Sequence, residues 1–137
     1  MSVVRFSVSL EQKLVEKFDR MIQQSHLPNR SKAIADLIRN ALVEFEWRTG
    51  HEVAGAIVIV YDHHKRNIVT KLIAIQHNYH EIILSTQHIH LDHDNCLEII
   101  AVRGKPLGLD NFIKELKSIK GLKHLSLAIG TTGKTLP

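Results

Sequence analysis

Residues 77–96 read H-N-Y-H-E-I-I-L-S-T-Q-H-I-H-L-D-H-D-N-C, a concentration of groups that bind transition metals. His88 and His90 stand two apart in a stretch whose pattern predicts a strand, and a period of two sends both imidazoles off the same face. Cys96 opens the next predicted strand, just past a turn at 91–95, and His77 closes the preceding predicted helix. Three imidazoles and a thiolate make a four-ligand set. The competing reading is a half-exposed sheet with solvated histidines and an inert core thiol. That reading suffices for any one of these residues, but for His88, His90 and Cys96 together it needs a coincidence of face and neighbourhood. His77 is the weakest member by spacing alone. The donors do not choose the ion: planar coordination favours nickel or copper, and a tetrahedral arrangement favours zinc. Glu98 is either an outer partner of the site or a solvated strand carboxylate, and His80 and His93 are either auxiliary ligands or solvated.

The rest of the composition narrows the setting. Ten histidines occur in 137 residues, eight of them from His51 to His93. A single cysteine allows no internal disulfide, so Cys96 is a packed thiol, a reactive thiol or a ligand. The formal charge of +4 is compatible with a nucleic-acid partner, yet the basicity is spread evenly over both halves. No apolar run reaches the roughly 18 residues of a membrane span and no signal peptide is apparent, so a cytoplasmic protein without a membrane partner is expected. A nucleophile elbow, a phosphate loop and paired catalytic carboxylates are all missing, and a four-ligand site leaves no open position for substrate. The sequence therefore reads as that of a binding protein and not of an enzyme.

The elements that must position these groups follow from periodicity. Residues 3–10 alternate, with Arg5, Ser7 and Ser9 on one side and Val4, Phe6, Val8 and Leu10 on the other, as in a short strand. Helical spacing runs over 11–24, where Ser9 and Gln12 could form a capping box, and again from about 30 to 47 after a Pro28-Asn29 turn, with Asn29 or Ser31 as cap. Arg48, Thr49 and Gly50 read as a hinge. Beyond it the pattern predicts a strand at 53–61, a helix at 65–77, strands at 82–91 and 96–102, a helix at 109–119 capped by Asp110 or the loop before it, and a strand at 122–129. The order β-α-β-β-α-β is the ferredoxin-like split used by ligand-regulated ACT domains. An α+β chain is expected, with residues 1–48 as one domain, 49–52 as linker and 53–137 as the other. The tail at 130–137 is expected to be mobile.

One strand and two helices leave an open edge and too small a core for some 45 residues. Pairing the strand with a second copy repairs both faults. The segments R-F-S-V-S-L at 5–10 and N-R-S-K-A-I at 29–34 resemble the ribbon-helix-helix family of DNA-binding dimers. That resemblance implies a paired ribbon in the major groove, with Arg5, Ser7 and Ser9 facing base edges. The start of the second helix, at Asn29, Arg30 and Ser31, would present backbone N–H groups to a phosphate. For the serines the alternative is plain solvent exposure.

The motifs Q-H-x-x-H at 76–80 and H-x-H-x-x-H-D-x-C-L-E-I at 88–99, joined to that N-terminus, resemble the nickel-responsive transcriptional regulators over nearly the whole chain. The resemblance implies a square-planar Ni(II) site formed by His88, His90 and Cys96 of one subunit and His77 of a neighbour. It implies a homotetramer, a dimer of dimers, that acts as a repressor on palindromic double-stranded operator DNA. It also implies that Lys65 and Arg66 touch the DNA backbone, although a solvated helix start accounts for them equally well. The alternatives are a regulator responding to copper, zinc or cobalt, or to a small organic effector.

Overall fold

The computed structural model describes residues 2–137, which form two compact units that divide between Asn40 and Ala41. In the first, α1 (Gln12–Gln24) and α2 (Arg30–Thr49) meet at a tight corner, and α2 continues into the second unit. His26 turns that corner with φ of 56°, a left-handed conformation uncommon for a residue with a side chain. The Asn29 side-chain oxygen accepts the Lys32 N–H at 2.9 Å and caps α2. The other expected cap is not formed: α1 begins after Glu11, which stands in extended conformation without a side-chain bond to the first turn. Arg30 reaches back from α2 to grip Asp19 of α1 through two hydrogen bonds of 2.8 and 2.7 Å.

Ile22 and Ala33 are the buried side chains among the described residues of this unit. Val4, Phe6, Val8 and Leu10 are exposed, Phe6 by 69%. Residues 3–10 form no ladder among the described residues, because a strand exists by pairing and no described strand runs beside them. This unit alone buries too little to hold itself together.

The second unit is the expected split fold. Its order is β1 (Val53–Asp62), α3 (Arg66–Asn78), β2 (Ile83–His90), β3 (Asn95–Gly104), α4 (Pro106–Lys117) and β4 (His124–Ile129). The sheet runs β2-β3-β1-β4 with every pair antiparallel. Alternate residues of the two central strands, Ile57, Ile59 and Tyr61 with Ile100, Glu98 and Cys96 opposite, point to one face. There they join Ile68 and Leu72 of α3 and Leu109, Phe112 and Leu116 of α4 in one core. Each such fully buried large apolar side chain stabilises the fold by roughly 1.5–3 kcal/mol. On the opposite face Ala56, Val58, Val60, Leu97 and Ile99 are half-buried.

Two expectations need correction here. Helix α4 starts three residues before position 109, at Pro106, whose missing N–H costs nothing in a first turn. Asp110 is therefore inside the helix, paired with Lys114 at 2.9 Å, and caps nothing. The tail at 130–137 has no helix or strand, but it is held. The half-buried Trp47 indole N–H donates to the Gly130 carbonyl at 2.9 Å. The buried Glu46 carboxylate accepts hydrogen bonds from the hydroxyls of Thr131 and Thr135 at 2.9 and 3.1 Å.

Candidate metal centre

The β2–β3 register puts His90 directly opposite Cys96 and His88 directly opposite Glu98. All four project to the helix-bearing face, but β2 is the edge strand. The two imidazoles are consequently exposed, whereas Cys96 and Glu98 of β3 are buried at 3% and 1% exposure. Cys96 Sγ and His90 Nδ1 are 3.5 Å apart. Burial pushes the Cys96 thiol up, and the nearby Glu98 charge adds to the shift. The group is thus a thiol at neutral pH, and an incoming cation must displace its proton to gain the thiolate.

His63 joins this pair. Its ligand atoms and those of His90 and Cys96 all lie within 4.8 Å of one another. Its ring meets that of His90 edge to face at 5.1 Å, and its buried Nδ1 has no hydrogen-bond partner. Sequence reading passed over His63 because it lies 27 residues before His90, in the loop after β1. The β1–β3 register, which sets Tyr61 against Cys96 and Asp62 against Asn95, carries that loop to the site.

Behind His88 lies a buried polar relay. Tyr61 donates its hydroxyl proton to Glu98 Oε2 at 3.1 Å, and Gln76 donates to Oε1 at 2.7 Å. His88 Nδ1 is 3.3 Å from the same hydroxyl, and its Nε2 is 3.7 Å from Glu98 Oε1. Glu98 is therefore a buried, fully engaged carboxylate and not a solvated one. Burial, then the Glu98 charge and hydrogen bond, raise the Tyr61 phenol well above its usual range, so the hydroxyl stays a donor. A ligating imidazole commonly has its ring fixed by such a carboxylate or hydroxyl.

His77 lies apart from this cluster. It is exposed on the last turn of α3, where its described ring neighbour is His80, at 6.1 Å. A second group forms at the same end of the sheet from His64, His93 and Asp94, all exposed. The turn that carries His93 is built by Asp92, whose Oδ1 accepts the N–H groups of Asp94 and Asn95 at 2.9 and 2.8 Å. The Asn95 side-chain amide, which donates to both Asp92 oxygens, and then these backbone bonds hold the Asp92 carboxyl below its usual range.

At the N-terminus Arg5, Ser7 and Ser9 are exposed. In the first turn of α2, Asn29 takes the Lys32 N–H by its side chain and the Ala33 N–H by its carbonyl. The N–H groups of Arg30 and Ser31 have no protein acceptor among the described residues. The Arg30 guanidinium itself is committed to Asp19. Lys65 and Arg66 lie exposed at the start of α3, Lys65 at its N-cap position.

Comparison with known proteins finds two families along the chain. Residues 4–44 match the family described as ribbon-helix-helix protein, copG family, and residues 54–129 match the NikR C terminal nickel binding domain. A protein of Syntrophus aciditrophicus is 53% identical over 96% of both chains. One of Chlorobium limicola is 53% identical over 94% of this chain and 96% of its own. A third, from Pyrococcus abyssi, is 47% identical over 99% of each. All three have nickel-responsive regulator as their assigned name. Among solved structures, an uncharacterised protein of Thermotoga maritima superposes with a TM-score of 0.53 at 12% identity, covering 58% of this chain and 98% of its own. That likeness is one of fold.

Proposed function

This chain belongs to the nickel-responsive regulator family, and from that premise we propose that it is a Ni(II)-dependent transcriptional repressor, active as a dimer of dimers on palindromic operator DNA. The single observation that supports the metal half of this reading is the Cys96–His90 pair, 3.5 Å apart across two adjacent strands with His88 two residues on. A thiolate with imidazoles is a donor set for nickel, copper or zinc, and membership of the family supports nickel. We assign His88, His90 and Cys96 of one chain as ligands, completed by His77 of a neighbouring chain. Bound nickel would supply a fixed positive charge that ties those residues together. The chain's own part is to fix the donors. Glu98 and Tyr61 orient the His88 ring, and the strand register holds His90 against Cys96.

Two apolar surfaces support self-association. Val4, Phe6, Val8 and Leu10 are exposed, and Val3, Val4, Phe6 and Val8 line a groove with Ile34 and Ile38 of α2. A second copy would pair strand 3–10 with its own and cover that groove, with Arg5, Ser7 and Ser9 left facing the bases. The uncovered face of the sheet, around Val58 and Ile99, suits the contact between dimers. Residues 1–48 would then read DNA and 53–137 would sense the ion, with 49–52 as the linker. Asn29, Arg30 and Ser31, and separately Lys65 and Arg66, are assigned to phosphates. Metal would act by linkage, stabilising the arrangement of four chains in which both ribbons meet the operator. As a regulator of this kind the protein works in the cytoplasm.

The test starts with duplexes selected from a random library with Ni(II) present. Wild type should bind the selected sequence much more tightly with nickel than without. Cys96→Ala should bind it equally under both conditions, and Arg5→Ala should lose about 1–3 kcal/mol of binding. Nickel-dependent binding by Cys96→Ala would overturn the site assignment, and binding by wild type that ignores nickel would overturn the function.

A second metal reading has an observation of its own. His63, His90 and Cys96 converge within one chain, a compact set that could hold zinc without a neighbour. Substitution of His63 separates the two readings.

A further inference from the structure

Residues 130–135 read G-T-T-G-K-T, a small and polar run of the kind that leaves a chain end loose. Glu46 and Trp47, in the last turn of α2, hold it nonetheless. The Trp47 indole N–H donates to the Gly130 carbonyl at 2.9 Å, and each oxygen of the Glu46 carboxylate accepts one threonine hydroxyl, from Thr131 at 2.9 Å and from Thr135 at 3.1 Å. We propose that the tail is a strap that locks the end of α2 to the sheet. Glu46 and Trp47 are then positioning residues through which nickel binding reaches DNA binding, a role that presupposes the nickel-responsive regulator proposed for this chain.

Three glycines make the strap fit. The Gly130 N–H donates to the Ala54 carbonyl at 2.8 Å, and a Cβ on Gly130 would come within 2.9 Å of that oxygen, so a side chain there would push the tail off β1. Gly55, the next residue of β1, leaves open the space that the Trp47 ring fills. Gly133 turns the chain with φ of 79°, a conformation that glycine adopts without strain. Its N–H donates to Thr131 Oγ1 at 3.1 Å, which leaves the hydroxyl proton of Thr131 to Glu46. Hydrogen bonds to a carboxylate are stronger than neutral ones, and this carboxylate is buried, so water competes poorly for it.

The helix end is closed as firmly as it is strapped. Across Gly50, whose φ is 80°, the His51 N–H donates to the Glu46 carbonyl at 3.3 Å, and the Thr49 hydroxyl donates to the Phe45 carbonyl at 2.8 Å. Glu46 therefore works on both sides: its carbonyl closes the helix and its carboxylate holds the tail. From Arg30 to Thr49 the helix contains no glycine or proline, the usual causes of a kink, so what fixes its last turn is felt along its length. Trp47 and the tail rest on the start of β1, and the far end of the same strand sets Tyr61 against Cys96. An ion that tightens the Cys96 end thus acts on a sheet to which α2 is fastened. With the strap gone the helix end can open locally, and the two events uncouple.

Trp47 is the single tryptophan of the chain, so its fluorescence reports on the strap directly. Full-length wild type is compared with Glu46→Ala and with Thr131→Val plus Thr135→Val, a pair that keeps side-chain shape and removes only the hydroxyls. The measurements are acrylamide quenching of Trp47, titration with Ni(II) alone followed by thiolate-to-nickel charge transfer, and binding to the duplex selected with nickel present. Both variants should be quenched more readily than wild type and should keep its nickel titration. Both should lose most of the nickel enhancement of DNA binding, a factor of about 5–150 for typical coupled sites. Glu46→Gln, whose amide can still bond both hydroxyls, should recover a large part of it. Should Glu46→Ala not fold, the threonine pair gives the same readings. Full nickel enhancement in variants whose Trp47 is freely quenched would overturn the proposal, since the strap would then serve stability alone. Quenching unchanged in both variants would overturn it as well, as would a nickel titration that weakens along with DNA binding. Wild type that binds the duplex alike with and without nickel would instead overturn the regulator reading, and the coupling role with it.

Discussion

His90 and Cys96 occupy directly opposed positions on β2 and β3, and their side chains approach to 3.5 Å between Nδ1 and Sγ. One partner is on the edge strand and open to solvent, while the other is buried at the margin of the core. The pair is therefore reachable by an ion and rigid on its sulfur side. Cys96→Ser should abolish thiolate-to-nickel charge transfer and lower nickel affinity beyond the roughly 10- to 100-fold that loss of an outer partner costs. His77→Ala should lose the nickel spectrum of the wild type, and His63→Ala should retain it. The reverse order would make His63 the third ligand and the single chain the binding unit.

Glu98 has almost no exposure, yet it holds two hydrogen bonds and stands 3.7 Å from the His88 ring. In Glu98→Gln an amide N–H₂ would face either the Gln76 N–H₂, opposing two donors, or the Tyr61 hydroxyl, which must then turn its proton toward His88. The expected cost is about 1–3 kcal/mol of stability in urea unfolding. Nickel affinity should fall roughly 10- to 100-fold, because the ring it helps to aim is freed. Unchanged affinity would mean that the carboxylate serves the fold alone.

Gly55 lies beneath the Trp47 ring and beside β4. A Cβ there would meet the Ala128 carbonyl oxygen at 2.7 Å and a Trp47 ring carbon at 3.3 Å. The first obstacle is backbone in a sheet ladder and cannot swing aside. Gly55→Ala should therefore destabilise the second unit by about 1–3 kcal/mol, seen as a lower unfolding midpoint with an unchanged slope.

Hydrogen bonds from Arg30, reinforced by its charge, hold the exposed Asp19 carboxyl below the usual carboxylate range. A depressed value in the folded state means that the unfolded chain takes up this proton first as pH falls. The stabilisation is thus present above the unfolded carboxylate range and disappears as pH drops through the depressed value. Asp19→Asn should be less thermostable than wild type near neutral pH, and the difference should shrink to nothing in strong acid. A difference that persists there would assign the effect to packing instead.

The element order of both units could be read from the chain because each signal is local. The continuous apolar run at 53–61 and the helical stripe through Ile34, Leu37 and Ala41 report what must leave water, whatever the partner. The same locality made His88, His90 and Cys96 readable as a group: a period of two fixes a face, and a five-residue turn fixes a neighbour. Helix ends were less accessible. The start of α4 depends on a proline tolerated in the first turn, and Asp110, a plausible cap by type, belongs to the helix interior.

Tertiary structure alone decided what lies far apart in sequence. His63 reaches His90 because β1 and β3 pair in one particular register, and spacing along the chain carries no trace of it. Glu98 changes from a strand carboxylate of uncertain role to a buried acceptor because Gln76 and Tyr61, 22 and 37 residues away, converge on it. The tail is held because Glu46, 85 and 89 residues before Thr131 and Thr135, is buried and takes their hydroxyls as its donors. Chemistry that rests on residue type and short spacing is written locally. Chemistry that rests on satisfying buried polar atoms is written only in the packing, since which atoms lose their water is settled when the sheet and helices close on one another.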